Sequence, residues 1–496
     1  MDSHDNQNQK KLHFVLFPFM AQGHMIPMID IARVLAERGD LITIITTPVN
    51  AARVEPVITR AVQAHGLHIR LVQLKFPCSE VGLPEGLENF DMLDSFDLDL
   101  SLKFFEAANM LEDQVQRLFD EEQISLRPSC LISDFCLPYT KNIASKFKIP
   151  RISFHGFSCF SLLCLERLYS SKILDTVTSD SEYFVLPNLP DKVEFTKAQL
   201  PVLSKDTWKE MHKKMGDADK DSYGVVINTF EEMEAEYIRE YRKVGGGRKA
   251  WCIGPLWLCN KTGLDKIQRG KKAAMDEHQF LNWLDCQEPS SVIYACLGSI
   301  SNAPPAQMIE LGLALEASNR PFIWVIRNWK RLNELEKWII EDGFEERIKG
   351  RGLLIKGWAP QVLILSHPAI AGFLTHCGWN STIEGITAGL PLVTWPLFGD
   401  QFLNEKLAVQ ILKIGISVGA KEPFMWGEED RTGVVVKKED IKNGIEKVMD
   451  EGEEGEERRL RAKEFAEMAK KAVEGGGSSY LNVTKFIQDI MQYGQN

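Results

Sequence analysis

The 496-residue sequence predicts an α/β protein made of two similar Rossmann-like halves facing each other. Three observations carry that expectation. The length exceeds what a single hydrophobic core serves, so two large domains are expected. The N-terminal half opens with strand, helix and strand at βαβ spacing, which implies a parallel sheet with helices on its faces. A stretch at 254–276, with Pro255, glycines and basic residues, has the composition of an interdomain linker, and the alternation restarts after it. The expected units are therefore 1–253, the linker 254–276, 277–474, and a tail 475–496 that packs back on the N-terminal domain.

Residues 12–19 read as an apolar strand, followed by the loop and helix MAQGHMIPMIDIARVLAERG. Pro27 suits the first turn of that helix, and Ile29, Ala32, Val34 and Leu35 repeat at helical spacing until Gly39. LITIITT (41–47) is the next strand, and CLISDF (130–135) and IPRISF (149–154) are two more. From His155 to Leu200 the pattern is irregular and rich in aromatic and apolar residues, which fits either packed core or a hydrophobic ligand pocket. GVVINTF (224–230) resumes the strands. In the second half SVIYACLGS (291–299), PFIWVIR (321–327), GLLIKGW (352–358) and AIAGFLTH (369–376) read as strands, with PPAQMIELGLALEAS as the helix after the first. The acidic run at 450–457 reads as a solvated helix end, and the tail as a glycine break and an amphipathic helix.

Composition narrows the function classes. A formal net charge of −11 argues against a nucleic-acid binder that relies on phosphate attraction. No apolar run reaches the roughly 18 residues needed to span a bilayer. The polar N-terminus lacks the apolar core of a signal peptide, so a cytoplasmic location is expected. The ten cysteines are scattered and form no C-x-x-C pair, which removes support for zinc or thioredoxin-like chemistry. The sequons at Asn260, Asn380 and Asn482 read as unused.

The most informative stretch is 358–401, WAPQVLILSHPAIAGFLTHCGWNSTIEGITAGLPLVTWPLFGDQ. A buried strand ends at His376, a glycine turn follows at Gly378, and a helix opens at Trp379-Asn380-Ser381 with Glu384 one turn in. Unpaired backbone N–H groups and the helix dipole make such a junction an anion site. Asn380, Ser381 and Glu384 share one helix face. Hydroxyl and amide donors for phosphates, with a carboxylate for vicinal hydroxyls, suit a nucleoside diphosphate. Ser299, in the Gly-Ser turn before a helix, reads as a second phosphate contact or as a plain helix cap. Neither a P-loop nor a full G-x-G-x-x-G occurs. Cys377 reads as a buried structural cysteine.

In the N-terminal half His24 follows a strand and precedes a helix, at the sheet edge where doubly wound folds bind ligands. Asp134 ends another strand of that sheet. From spacing alone His24 is either a loop histidine or a general base with Asp134 as its orienting carboxylate. The Asp97-Leu98-Asp99 triplet has the look of a metal-diphosphate motif, but it precedes a helix pattern and reads as helix-start acids, so no metal is expected.

With these residues in place, the 358–401 stretch resembles, without a gap, the signature box of plant family-1 UDP-dependent glycosyltransferases. The resemblance extends through QGHMIPM, SDFCLPYT, ISFHGFSCF and the GGSSY tail, and is greatest to the subgroup acting on terpenoids, steroids and flavonoids. It implies the GT-B architecture, with the acceptor on the N-terminal domain and the donor on the C-terminal one. It further implies that Trp358 stacks on uracil beside Ala359, that Gln361 lies near the ribose, and that Glu384 takes both ribose hydroxyls. His376, Asn380, Ser381 and Ser299 fall to the diphosphate, and Trp379, Asp400 and Gln401 to the sugar, with Gln401 associated with glucose; Gly378 belongs to the same UDP-sugar site. His24 and Asp134 match the base and its partner. Two departures are Ala371, where many members carry glycine, and Gly156, where some carry a hydroxyl that reaches the sugar.

The expected reaction is inverting, metal-independent transfer of glucose from UDP-glucose, a co-substrate rather than a cofactor, to a hydroxyl of a small lipophilic plant metabolite such as a triterpenoid, steroid or flavonoid. Phe19, Phe135, Leu137 and Phe157 are the expected acceptor-pocket residues, and a monomer is the expected state. A non-catalytic binder of UDP-sugars or metabolites, a transferase using another UDP-sugar, and an epimerase or hydrolase on the same scaffold stay open as alternatives.

Overall fold

The structure, a computed structural model, describes residues 11–93, 98–121, 127–201, 206–301, 303–327, 332–424 and 433–494. Among the described residues fifteen strands are arranged as two parallel sheets and one small hairpin. The N-terminal sheet contains β1 (His13–Phe17), β2 (Leu41–Thr46), β3 (Ile69–Gln73), β4 (Cys130–Asp134) and β5 (Arg151–Phe154). The hairpin β6 (Tyr183–Val185) and β7 (Glu194–Thr196) stands apart, and β8 (Gly224–Ile227) and β9 (Ala250–Cys252) complete the first sheet in the order β3-β2-β1-β4-β5-β8-β9. The C-terminal sheet holds β10 (Val292–Cys296), β11 (Phe322–Ile326), β12 (Gly352–Lys356), β13 (Ile370–Thr375), β14 (Leu392–Thr394) and β15 (Gly415–Ser417) in the order β12-β11-β10-β13-β14-β15.

Central strands of both sheets are buried along their whole length, as in β1, β4, β10, β11 and β13, because helices cover both faces. That is why each reads as a continuous apolar run rather than an alternating one. In each sheet the strand order reverses beside the first strand, between β1 and β4 and between β10 and β13. A crevice opens at such a reversal, outside the carboxyl ends of the strands. His24 follows β1, Asp134 ends β4, Ser299 follows β10 and His376 follows β13. Two topological switch points therefore supply the four residues from opposite sides of one cleft.

The acids at 450–457 bracket the start of helix Glu453–Val473, whose first turn is acidic, as the dipole favours. Helix Ser478–Tyr493 lies on the N-terminal sheet, where the Phe486 ring meets Phe14 at 5.6 Å and Trp251 at 5.0 Å. Fully burying a ring of that size contributes about 1.5–3 kcal/mol. Trp251 also donates its indole N–H to Asp489 at 3.1 Å. Asn260 and Asn482 are buried. Among the described residues no helix is long and apolar enough to cross a membrane.

Several elements differ from the sequence expectation. Helix Gln22–Ala36 begins five residues before Pro27, so the proline sits inside the helix and not in its first turn. The 155–200 stretch is split: helix Cys159–Ser171 buries Cys159, Phe160, Leu163 and Cys164 against its neighbours, whereas residues 169–185 are exposed or half-buried. The 254–276 stretch carries buried Leu256 and Trp257 and a short helix, Gly263–Ile267, and so is far from a bare linker. Of the acidic triplet, Asp97 lies outside the described residues, and Asp99 pairs with Lys103 at 2.6 Å in the first turn of helix Leu98–Asn109.

Candidate active site

Asp134 is completely buried at the end of β4, and its two oxygens have separate partners. Oδ1 accepts from the Cys136 amide at 3.0 Å, which closes a tight turn and aims the carboxylate out of the sheet. Oδ2 lies 2.7 Å from His24 Nδ1, in helix Gln22–Ala36. With Nδ1–H donating to the carboxylate, Nε2 keeps its lone pair. Burial disfavours the imidazolium, but the charge and hydrogen bond of Asp134, with a contribution from Asp400, hold the His24 pKa above its ordinary value. The Phe19 ring meets the imidazole edge-on at 5.5 Å and fixes its tilt. Cys136 brings its sulfur within 4.8 Å of the His24 and Asp134 donor atoms. Burial lifts that thiol well above its ordinary pKa, which opposes the thiolate a metal would need.

The in-helix proline has a direct use. Pro27 has no N–H to give to the carbonyl of Gly23, four residues earlier, so that carbonyl is left unpaired within the helix. Asn380 Nδ2, from the C-terminal domain, donates to it at 2.5 Å. A break in one helix thus becomes a tie across the cleft, next to His24. Further ties run from Trp379 Nε1 to the Asn228 carbonyl at 2.8 Å, from Trp257 Nε1 to Thr387 at 2.5 Å, and from Ser158 and Ser161 to Asn404 Oδ1 at 3.1 and 2.9 Å.

On the C-terminal side His376 is held between two glycines. A Cβ at Gly298 or at Gly378 would lie 2.4 Å from His376 Nε2. Gly298 also has φ +87, whereas Gly378 caps helix Trp379–Thr387 at φ −58. The left-handed residue of this turn is Cys377, at φ 65, and not the glycine. Burial and then the nearby Arg327 guanidinium lower the His376 pKa to about 4, so at neutral pH it is an uncharged imidazole. Its Nδ1 is buried without a protein partner. Cys377 is buried and its thiol is pushed well up by burial, in keeping with a structural role.

Helix Trp379–Thr387 lines the cleft with Asn380, Ser381 and Glu384. Gln361 Nε2 donates to Ser381 Oγ at 3.0 Å and to Glu384 Oε2 at 2.7 Å, and Arg269 Nη1 pairs with Glu384 Oε1. The Arg327 guanidinium lies 4.2 Å from the centre of the Trp358 ring. Gln401 Oε1 accepts from the amides of Leu397 and Phe398 at 2.8 and 3.1 Å, so only its amino end can donate to a ligand. Asp400 accepts from Asn404 at 2.8 Å, and burial raises its pKa to about 6.

One cleft is lined by all of these together: His24, Ser299, Trp358, Ala359, Gln361, His376, Gly378, Trp379, Asn380, Ser381, Glu384, Asp400 and Gln401. Asp134 stands directly behind His24. Of the expected acceptor residues, Phe19 and Phe157 line the cleft and two do not. Leu137 is completely buried in the core below Asp134, because the turn that closes on the Asp134 carbonyl folds its side chain inward. Phe135 lies behind His155, stacked on it at 5.0 Å. Gly156 has φ +72, a conformation that disfavours any hydroxyl-bearing side chain there. Sequence reasoning did not name Phe90, Phe105, His155, Arg269 or Arg327 as cleft residues. Phe105 stacks on Phe19 at 4.9 Å, and His155 is oriented by Asp219 at 2.7 Å.

Two family models match the chain, one described as UDP-glucoronosyl and UDP-glucosyl transferase over residues 248–428, the other as glycosyltransferase, N-terminal domain, over residues 10–258. The chain is 58% identical to UDP-glycosyltransferase 73C6 of Arabidopsis thaliana, over 99% of both chains. It is also 58% identical to UDP-glycosyltransferase 73C12 of Barbarea vulgaris, over 98% of this chain and 97% of that one. Among solved structures it resembles Glycyrrhiza uralensis UGT73P12 complexed with glycyrrhetinic acid 3-O-monoglucuronide, with a TM-score of 0.89 and 36% identity, covering 98% of this chain and 97% of that one. Arabidopsis thaliana UGT89C1 complexed with UDP aligns with a TM-score of 0.74 and 26% identity, over 97% of this chain and 100% of that one.

Proposed function

The chain belongs to the plant UDP-glycosyltransferases, which have the GT-B fold and transfer a sugar from a UDP-sugar to small metabolites, and from that premise we propose that it is an inverting glucosyltransferase acting on a hydroxyl of a small lipophilic plant metabolite. The observation that carries the reading is the His24–Asp134 pair, 2.7 Å apart, at the mouth of one sheet and facing the 358–401 residues at the mouth of the other.

His24 Nε2 takes the proton of the acceptor hydroxyl as its oxygen attacks the anomeric carbon, while Asp134 stabilises the imidazolium that forms. The bond from the anomeric carbon to the diphosphate oxygen breaks on the opposite face, so an α-linked UDP-sugar gives a β-glycoside. UDP leaves as an anion received by the N–H groups of helix Trp379–Thr387, by Ser299 and by neutral His376 as a donor. Trp358 and Ala359 hold uracil, Gln361 and Glu384 the ribose, and Asp400 and Gln401 the sugar. Holding both reactants in one cleft supplies an orientation contribution of several kcal/mol. The aromatic wall of Phe19, Phe90, Phe105 and Phe157 supports an apolar acceptor. The relative crystallised with a glycyrrhetinic acid glucuronide supports triterpenoids among the candidates. All ten cysteines are free, which supports the cytosol as the location.

Incubating the purified protein with UDP-glucose and a panel of triterpenoid, steroid and flavonoid alcohols, read by the mass shift of one hexose, tests this reading. Glucosides of lipophilic alcohols are expected, with UDP-glucose used in preference to UDP-galactose, UDP-xylose and UDP-glucuronate. UDP release without any acquired sugar would instead favour a hydrolase.

The pH profile supplies a second check. The base works only when neutral, so kcat/KM falls as pH drops through the His24 pKa, which lies above its ordinary value. Asp134→Asn removes the main cause of that elevation. Its acid limb is expected to move to lower pH while the plateau rate falls. An unmoved limb would detach the limb from this pair.

A further inference from the structure

We infer that Arg269 sets donor affinity by competing with the ribose hydroxyls for Glu384. The inference rests on the reading of Glu384 as the ribose carboxylate, and concerns a residue that lies outside the 358–401 stretch.

Arg269 follows the short helix Gly263–Ile267 in the segment joining the two domains, and its side chain is 9% exposed. Its guanidinium forks between the domains: Nε donates to Asp30 Oδ2 at 2.9 Å on helix Gln22–Ala36, and Nη1 donates to Glu384 Oε1. Gln361 takes the other Glu384 oxygen at 2.7 Å. Both oxygens of this carboxylate are therefore engaged by protein donors. Each carboxylate oxygen has two acceptor sites, one of which a protein donor already takes, and Arg269 lines the cleft beside Glu384, so the guanidinium and the ribose hydroxyls contend for the same cleft-facing carboxylate.

The neighbouring backbone is placed to make that contest matter. Gly270 has φ +102, and a Cβ there would fall 2.1 Å from Trp358 Cζ2, so the segment runs flat against the indole edge. The Ala274 amide donates to the Trp358 carbonyl at 2.8 Å. Asp265 is anchored to Arg60 at 2.8 Å and Lys271 pairs with Asp91, so the segment is fastened to the N-terminal domain on either side of Arg269. Released from Glu384, Arg269 keeps Asp30 as its partner, and that carboxylate is itself held by Asn260 at 2.9 Å. The exchange thus leaves Arg269 with Asp30 as its charge partner and Glu384 with Gln361 and the incoming hydroxyls as donors, so neither group is left unsatisfied and the contact can be reversible. A ligand whose site is open only part of the time binds with its affinity reduced by that fraction.

Calorimetric titration of the full chain with UDP and with 2′,3′-dideoxyuridine 5′-diphosphate separates the effects. The second probe has no ribose hydroxyls and makes no demand on Glu384, so a general loss of positive charge near the diphosphate cancels in the ratio of the two affinities. Wild type is expected to prefer UDP, and Arg269→Gln to widen that preference about three- to tenfold. Arg269→Lys keeps the charge but cannot fork between two carboxylates, and is expected to widen it too. In unaltered protein, hydrogen exchange at 268–272 is expected to rise more with UDP than with the dideoxy probe. A preference that stays constant or shrinks in the variants, or exchange that does not distinguish the probes, overturns the competition while leaving the ribose reading intact. A wild-type protein that binds both probes equally removes the ribose reading itself.

Discussion

His24→Ala is expected to lower kcat for an alcohol acceptor by about 10²–10⁴-fold, the range that a positioned general base contributes. UDP affinity should be unchanged, because His24 belongs to the acceptor side of the cleft. The loss should depend on the acceptor: an acidic phenol ionises unaided and should lose far less than an aliphatic alcohol. That dependence separates a missing base from a damaged fold. The alanine variant also takes the imidazole partner from the buried Asp134 carboxylate, so a lower Tm is expected alongside. His24→Gln covers this point, since its amide can still donate to Asp134 but cannot act as a base. Near wild-type turnover of an aliphatic alcohol by His24→Gln would end the base assignment.

Gly378→Ala is expected to raise the KM for the UDP-sugar about 10- to 150-fold, the equivalent of losing one hydrogen bond to a charged group. The added methyl would start 2.4 Å from His376 Nε2, and the imidazole must move away from the position it now holds beside the helix N-terminus. At φ −58 the backbone itself tolerates alanine, so the variant isolates the contact with His376. Gly298→Ala creates the same clash at φ +87, adding about 1–2 kcal/mol of backbone strain. Both variants should therefore lose donor affinity, and only Gly298→Ala should also lose markedly in Tm. Unchanged donor KM in Gly378→Ala would mean that His376 takes no part in holding the diphosphate.

Much of this arrangement is legible in the sequence because it follows chain-local rules. Continuous apolar runs mark strands buried on both faces, and β1, β4, β10, β11 and β13 all read that way. Strand-to-helix junctions then place His24, Ser299 and His376 at sheet edges without any knowledge of packing. The short strands β14 and β15, three residues each, and the half-buried β3 escape, since neither length nor alternation separates them from loops. Phe90, Phe105 and His155 reach the cleft from a short 3₁₀ turn, a helix and a strand end, and only tertiary placement brings them together. Leu137 fails as a pocket residue for a related reason: a single turn decides whether a residue near the Asp134 carboxylate faces ligand or core.

Pro27 and Arg269 mark the further limit. As a sequence feature Pro27 signals a helix start, and the structure makes it the source of an unpaired carbonyl that Asn380 takes up across the cleft. Arg269 sits in a stretch whose composition signals a linker, yet its guanidinium joins Asp30 of one domain to Glu384 of the other. Both functions exist only between domains, where periodicity carries no information.

The stereochemistry of the product tests the central claim most directly. UDP-α-glucose and an alcohol from the acceptor panel, incubated with the purified chain, give a glycoside whose anomeric proton coupling reports its configuration by NMR. Single displacement with His24 as base requires the β-glycoside, formed in step with UDP and dependent on the acceptor. An α-glycoside, or UDP released at the same rate without acceptor, would contradict it.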